Sequence, residues 1–173
     1  MKLSDVVARF LAQHVRHVFV VSGGASLHLI HSIAECEGID YICPHHEQAA
    51  GFAADAYARL WGLGVAVATS GPGATNLITP IATSFYDSIP VLYITGQVTT
   101  GRLTGSTGVR QTGFQETPIV DMVRPVTKFA HTLMQPDRVL DILGTALAIA
   151  RAERPGPVLV DIPDDLQRAE ISA

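Results

Sequence analysis

The chain has 173 residues, 47% hydrophobic and 16% charged, which excludes an intrinsically disordered protein, since disorder needs low hydrophobicity and high charge. Lys and Arg number 12 against 16 Asp and Glu, a net charge of −4 with no basic block, which argues against nucleic acid as the main partner. The length suits one domain, or at most one and a half, and no apolar run approaches the roughly 18–20 residues that cross a bilayer.

In chain order, Val6, Val7, Phe10 and Leu11 recur at helical spacing, with Ser4 or Asp5 as the expected N-cap. The run His17 to Val21 reads as a strand, Ser22 to Ser26 as a glycine turn, and Leu27 to Glu37 as a helix ended by Gly38. Asp40 to Cys43 is a short strand stopped by Pro44. His46 to Trp61 is an Ala-rich helix that should be buried, because its small side chains let another element approach closely. Gly64 to Thr69 is an apolar strand, Ser70 to Ala74 a turn, and Thr75 to about Tyr86 a helix. Pro90 to Thr95 is a strand, and Thr99 to Gly113 the longest irregular stretch, of the kind that often carries function. Pro136 to Ala152 is a helix, and Val158 to Ile162 a last strand before Pro163.

Continuous apolar strands alternating with helices predict an α/β fold: a three-layer open parallel sheet with helices on both faces, all in one domain over residues 1–173. The charge content is low for the surface of a monomer, so much of that surface is expected to be covered by another chain. The N-terminal segment reads as an amphipathic helix and not a signal peptide, and Cys36 and Cys43 as buried thiols. Both point to the cytoplasm.

In an open parallel sheet ligands bind beyond the carboxyl ends of the strands. The turns at Ser22 to Ser26, at Ser70 to Asn76 and after Gly96 lie at such ends. The Gly71-Pro72-Gly73 turn lacks GxGxxG, GxxxxGK[ST] and a nearby lysine, so close approach of a backbone or a flat ring is favoured over phosphate binding. Glu47 opens the Ala-rich helix. It is either a first-turn acid that favours the helix dipole or a carboxylate kept to hold a proton for chemistry. His28, His31, His45 and His46 lack a third ligand at useful spacing, so no metal site is assigned. Asp87, Asp121 and Asp161 read as caps and surface residues.

Six motifs then stand in one order: His46-Glu47-Gln48-Ala49-Ala50 with Ala54 to Arg59, Thr69 to Asn76, Asp87-Ser88-Ile89-Pro90, Thr95-Gly96-Gln97-Val98, Phe114 to Pro118, and Arg154 to Pro163. Together they resemble the N-terminal, pyrimidine-binding domain of the acetolactate synthase-like group of thiamine diphosphate enzymes. The resemblance implies that Glu47 hydrogen-bonds N1′ of the cofactor's aminopyrimidine and stabilises the imino tautomer, whose nitrogen takes the thiazolium C2 proton. The cofactor then serves as electron sink for a small 2-keto acid. It implies that Gly24, Ala25, Pro72 and Asn76 contact the cofactor and that Gln97, Phe114 and Gln115 line the substrate side.

The sequence departs from that group at Val21-Ser22 (Tyr-Pro in the group), at His46 (Arg), at Asp164 (Lys) and in a longer loop from Thr99 to Gly113. These departures weaken the case for a second 2-keto acid as acceptor, so a related ligase or decarboxylase fits as well. The resemblance places the diphosphate and Mg²⁺ in a separate domain carrying GDG, which does not occur here, and FAD is compatible but not indicated. It therefore implies a partner diphosphate-binding domain or subunit, a homo- or hetero-oligomer, and no activity without that partner. The alternatives are a non-catalytic oligomerisation module and the split subunit of a 2-keto acid decarboxylase. Glu47 beside intact turn motifs favours the enzyme.

Overall fold

The computed structural model describes residues 1–171. A six-stranded sheet runs in the order β2-β1-β3-β4-β6-β5, with every pairing parallel. Its strands are β1 His17–Val20, β2 Asp40–Ile42, β3 Gly64–Ala68, β4 Val91–Gln97, β5 Phe129–Thr132 and β6 Val158–Pro163. The helices are α1 Leu3–Ala12, α2 Leu27–Ala34, α3 Glu47–Trp61, α4 Pro72–Asn76, α5 Ile78–Asp87, α6 Ile119–Val123, α7 Val139–Arg151 and α8 Asp164–Gln167. The expected three-layer α/β fold is present.

Side chains alternate across each strand, and the two faces differ in size. Val65, Val67, Leu92, Ile94, Val158 and Val160 meet α1, α2 and α7 on one face. Ala66, Ala68, Tyr93 and Leu159 meet α3, α5 and α6 on the other. The small residues there bring α3 down onto the sheet, and a Cβ at Gly64 would overlap the Ala54 carbonyl. A Cβ at Gly51 would likewise overlap the Pro80 ring. The alanines are therefore a distance setting. They do not make α3 buried all round: Phe52, Leu60 and Trp61 stay exposed.

Several boundaries differ from those expected. Helix α1 starts at Leu3 with no side-chain cap, while Ser4 and Asp5 turn inward onto Ser32 of α2, whose hydroxyl donates to Asp5 Oδ1 at 2.6 Å. Helix α2 stops at Ala34, short of Glu37. The helix expected from Thr75 is two, α4 and α5, with Leu77 at the junction. Strand β5 and helix α8 carry no apolar run, and α6 is a single turn of five residues too short to show a period, so the sequence pattern does not announce them. The cysteines are not buried: Cys43 is exposed and Cys36 half-buried, because the first follows the exposed edge strand β2 and the second lies past the end of α2. Among the described residues no helix is long and apolar enough to cross a membrane.

Candidate functional site

All six strands point the same way, so the segments after β1, β2, β3 and β4 gather at one edge of the sheet. Beyond β2, His46 takes an extended conformation and its Nδ1 accepts from the Gln48 amide at 3.1 Å, which makes it the N-cap of α3. The histidine at this position thus has a structural use, which its residue type alone did not suggest. Glu47 is the first residue of the helix and is half-buried. Its Oε2 accepts from Asn76 Nδ2, at the end of α4, at 2.9 Å. Its Oε1 has no hydrogen-bond donor among the described residues.

The glycines of the turn after β3 are required by their neighbours. Gly71 sits at φ +58, and a Cβ there would lie 2.7 Å from the Gln115 carbonyl oxygen. Pro72 takes the first turn of α4, where its missing N–H costs nothing, and it is exposed. A Cβ on Gly73 would lie 2.7 Å from Thr69 Cγ2 and 3.4 Å from Glu47 Oε1, so glycine keeps the space beside that oxygen open. Thr69 also keys the loop after β1. Its Oγ1 accepts from the Ala25 amide at 3.1 Å, and a Cβ at Gly23 would collide with it. The Ala25 carbonyl is held from the other side by Gln167 Nε2 at 2.7 Å. Gly24 is exposed with open space about its Cα. Thr69 and Gln167 were not among the expected site residues. Only their tertiary neighbours identify them.

Glu47, Pro72, Asn76 and the backbone of Gln115 therefore surround one turn, with Ala25 tied to it through Thr69. The residues expected on the substrate side behave differently. Phe114 is 83% exposed and Gln115 sits at φ +59 beside Gly71. Gln97 is buried and fully engaged: its Nε2 donates to the Thr117 carbonyl at 2.9 Å and to Asp161 Oδ2 at 3.0 Å, and its Oε1 accepts from the Val98 amide at 2.9 Å. Together with Thr104, Arg110, Glu116, Thr132 and Asp161 it lines a cleft of about 440 Å³.

Asp161 is not a surface residue, as the pattern suggested. It is 1% exposed in β6, where the parallel register sets it between Thr95 of β4 and Thr132 of β5. Burial pushes its carboxyl up to about 7, against hydrogen bonds from Thr95, Gln97 and Thr132 that pull it down. Asp87 and Asp121 are exposed as expected and pair with Arg59 and Arg124. Glu116 organises the long loop. Its carboxylate takes the Thr104 hydroxyl at 2.6 Å and the amides of Thr104, Thr112 and Gly113 at 2.5, 2.8 and 3.2 Å. Burial raises the Glu116 carboxyl, and these bonds outweigh it and hold it below its ordinary value.

The Glu47 Oε1, without a donor among the described residues, and the space that Gly73 keeps beside it leave room there for a group that shares a proton. The family described as thiamine pyrophosphate enzyme, N-terminal TPP binding domain, matches residues 1–122. Over 169 residues, 96% of this chain and 24% of the relative, identity is 42% to acetolactate synthase 2, chloroplastic, of Nicotiana tabacum. It is 44% over 155 residues to the acetolactate synthase large subunit of Corynebacterium glutamicum, covering 89% of this chain and 24% of the relative. The chain spans about a quarter of the length of the curated relatives it matches. It belongs to the family of N-terminal TPP binding domains of thiamine pyrophosphate enzymes.

Proposed function

We propose that residues 1–173 form the pyrimidine-binding domain of a thiamine diphosphate-dependent carboligase or lyase that acts on a small 2-keto acid, in the manner of the acetolactate synthases it is similar to. The observation that carries this reading is the Glu47–Asn76 pair. Asn76 occupies Oε2 and orients the carboxylate, which leaves Oε1 toward the opening that Gly73 keeps clear. Glu47 at Oε1 would share a proton with N1′ of the aminopyrimidine. Pro72, Gly24 and Ala25 would lie against the ring, and Phe114 and Gln115 would stand on the substrate side. Gln97 serves that side indirectly, through the loop it holds. Thiamine diphosphate, when bound, supplies an electron sink for decarboxylation of the 2-keto acid.

The diphosphate and its Mg²⁺ would be held by a partner domain or subunit, and turnover would require it. The surface supports such assembly. Ala49, Phe52, Ala56 and Leu60 are exposed at helical spacing along α3, with Trp61 beside them. An apolar stripe of this kind suits another chain. A cytoplasmic setting belongs to the same reading. An oligomerisation module without chemistry would use the stripe but would have no need of a half-buried carboxylate oriented by an asparagine. Glu47→Gln tests the reading directly: the protein with its diphosphate domain should bind cofactor and lose turnover.

A further inference from the structure

Asp161 is the most deeply buried carboxylate in the cleft, and the chemistry proposed for Glu47 does not use it. Its surroundings are neutral. Thr95 Oγ1 donates to Oδ1 at 2.6 Å, while Gln97 Nε2 and Thr132 Oγ1 donate to Oδ2 at 3.0 and 3.3 Å. Thr95, Gln97, Asp161 and Thr132 all project from one face of the sheet, since Asp161 is in register with both threonines and Gln97 lies two residues beyond Thr95. An acid buried without a cation is costly, and a stable fold would be served as well by an apolar residue.

What the acid does hold is the Gln97 amide. One Nε2 hydrogen goes to Asp161 and the other to the Thr117 carbonyl, while Oε1 is fixed by the Val98 amide. The amide is thereby locked in one of its two orientations. In the other, the carbonyl oxygen would face the Thr117 carbonyl and the Asp161 carboxylate. Thr117 closes the segment whose Gln115 presses on Gly71, at the turn leading to Asn76 and Glu47. We propose that Asp161 is a positioning residue: it locks Gln97, and through Gln97 it holds the segment 113–118 against the Gly71 turn, so that Gln115 stays packed on the turn that leads to Asn76, the partner of Glu47. The inference rests on the reading of the Glu47 site given above.

Hydrogen exchange in the native protein tests it. Asp161→Leu keeps the shape and removes every acceptor. Exchange at the Glu116 and Ile119 amides should speed at least tenfold, while the β3 and β6 amides stay within threefold of wild type. Asp161→Asn should restore protection, with its oxygen turned to Gln97 and its amide to the Thr95 hydroxyl. Wild-type exchange at Glu116 and Ile119 in Asp161→Leu would overturn the inference, as would equal acceleration in β6, which would mean plain loss of stability. Failure of Asp161→Asn to protect would overturn it too. Should Asp161→Leu not fold, Gln97→Met removes the donor to Thr117 and must give the same local acceleration. These outcomes are independent of Glu47: full turnover in Glu47→Gln would remove the reading of the site and leave the exchange result standing.

Discussion

Asn76 donates to Glu47 across 29 residues of sequence, at 2.9 Å, and occupies only one of the two carboxylate oxygens. One element supplies the acid and the next strand–turn–helix supplies the group that aims it. The carboxylate cannot rotate without breaking that bond, so its second oxygen is pre-set before any ligand arrives, a form of preorganisation that lowers the cost of binding and reaction.

Glu47→Gln keeps the Asn76 bond and the helix but cannot share a proton in the same way. Turnover of the assembled protein should fall by roughly 10²–10⁴, the weight of a positioned proton-transfer group. Steady-state kinetics beside a thermal melt checks this, and near-wild-type turnover would sink the assignment.

Asn76→Ala leaves Glu47 in place but unaimed. A hydrogen bond to a charged group is worth about 1.5–3 kcal/mol, so turnover should drop roughly 10- to 100-fold and the melting temperature should fall by several degrees at most. A loss as large as that of Glu47→Gln would mean that Asn76 acts on the ligand directly.

Gly71 and Gly144 make a matched pair of opposite sign. Gly71→Ala forces a methyl 2.7 Å from the Gln115 oxygen at a φ of +58, and should destabilise the fold by about 1–3 kcal/mol. Gly144 is in α7 with nothing within 4 Å of its Cβ position, and Gly144→Ala should stabilise by about 0.5–1 kcal/mol. Denaturant unfolding of both variants decides.

Asp161 gives stability a pH slope. Its carboxyl titrates at about 7 in the folded chain against 3.8 for the ordinary group. Between those values the folded state keeps a proton that the unfolded state has lost. Raising the pH from 4 to 7 therefore weakens the fold through this group, by on the order of a few kcal/mol, and the loss levels off above 7. Glu116 contributes with the opposite sign, since its carboxyl is lowered. The difference between wild type and Asp161→Asn isolates the Asp161 contribution: the variant should gain stability relative to wild type as pH rises through this window. A difference that is flat with pH would refute it.

The α3 stripe should mediate self-association. Leu60 is 80% exposed and Trp61 72%. The double change Leu60→Asp and Trp61→Asp should weaken association at least tenfold in sedimentation, with the fold intact. Unaltered association would place the interface elsewhere.

Much of this was legible in the sequence. Val65, Val67, Leu92 and Ile94 lie in strands buried on both faces, and such strands read as apolar runs whatever surrounds them. Glu47, Pro72 and Asn76 stand in motifs whose resemblance to the thiamine diphosphate enzymes named them and whose place in the chain put them at strand ends. Strand β5 was invisible, because an edge strand such as Phe-Ala-His-Thr is half-exposed and takes its pairing from β6. Asp161 was misplaced because nothing in a strand's pattern tells which neighbours its register will bring.

Composition and periodicity thus determined the fold class, five of the six strands in order and the place of Glu47 at the head of α3. These depend on how far each segment is apolar and at what spacing. Only the tertiary structure decided that Asn76 aims Glu47, that Thr69 keys the first loop, and that Asp161 and Gln97 interlock. Those contacts join strands and turns dozens of residues apart, and the hydrogen-bond directions that make them specific exist only once the parallel register is set.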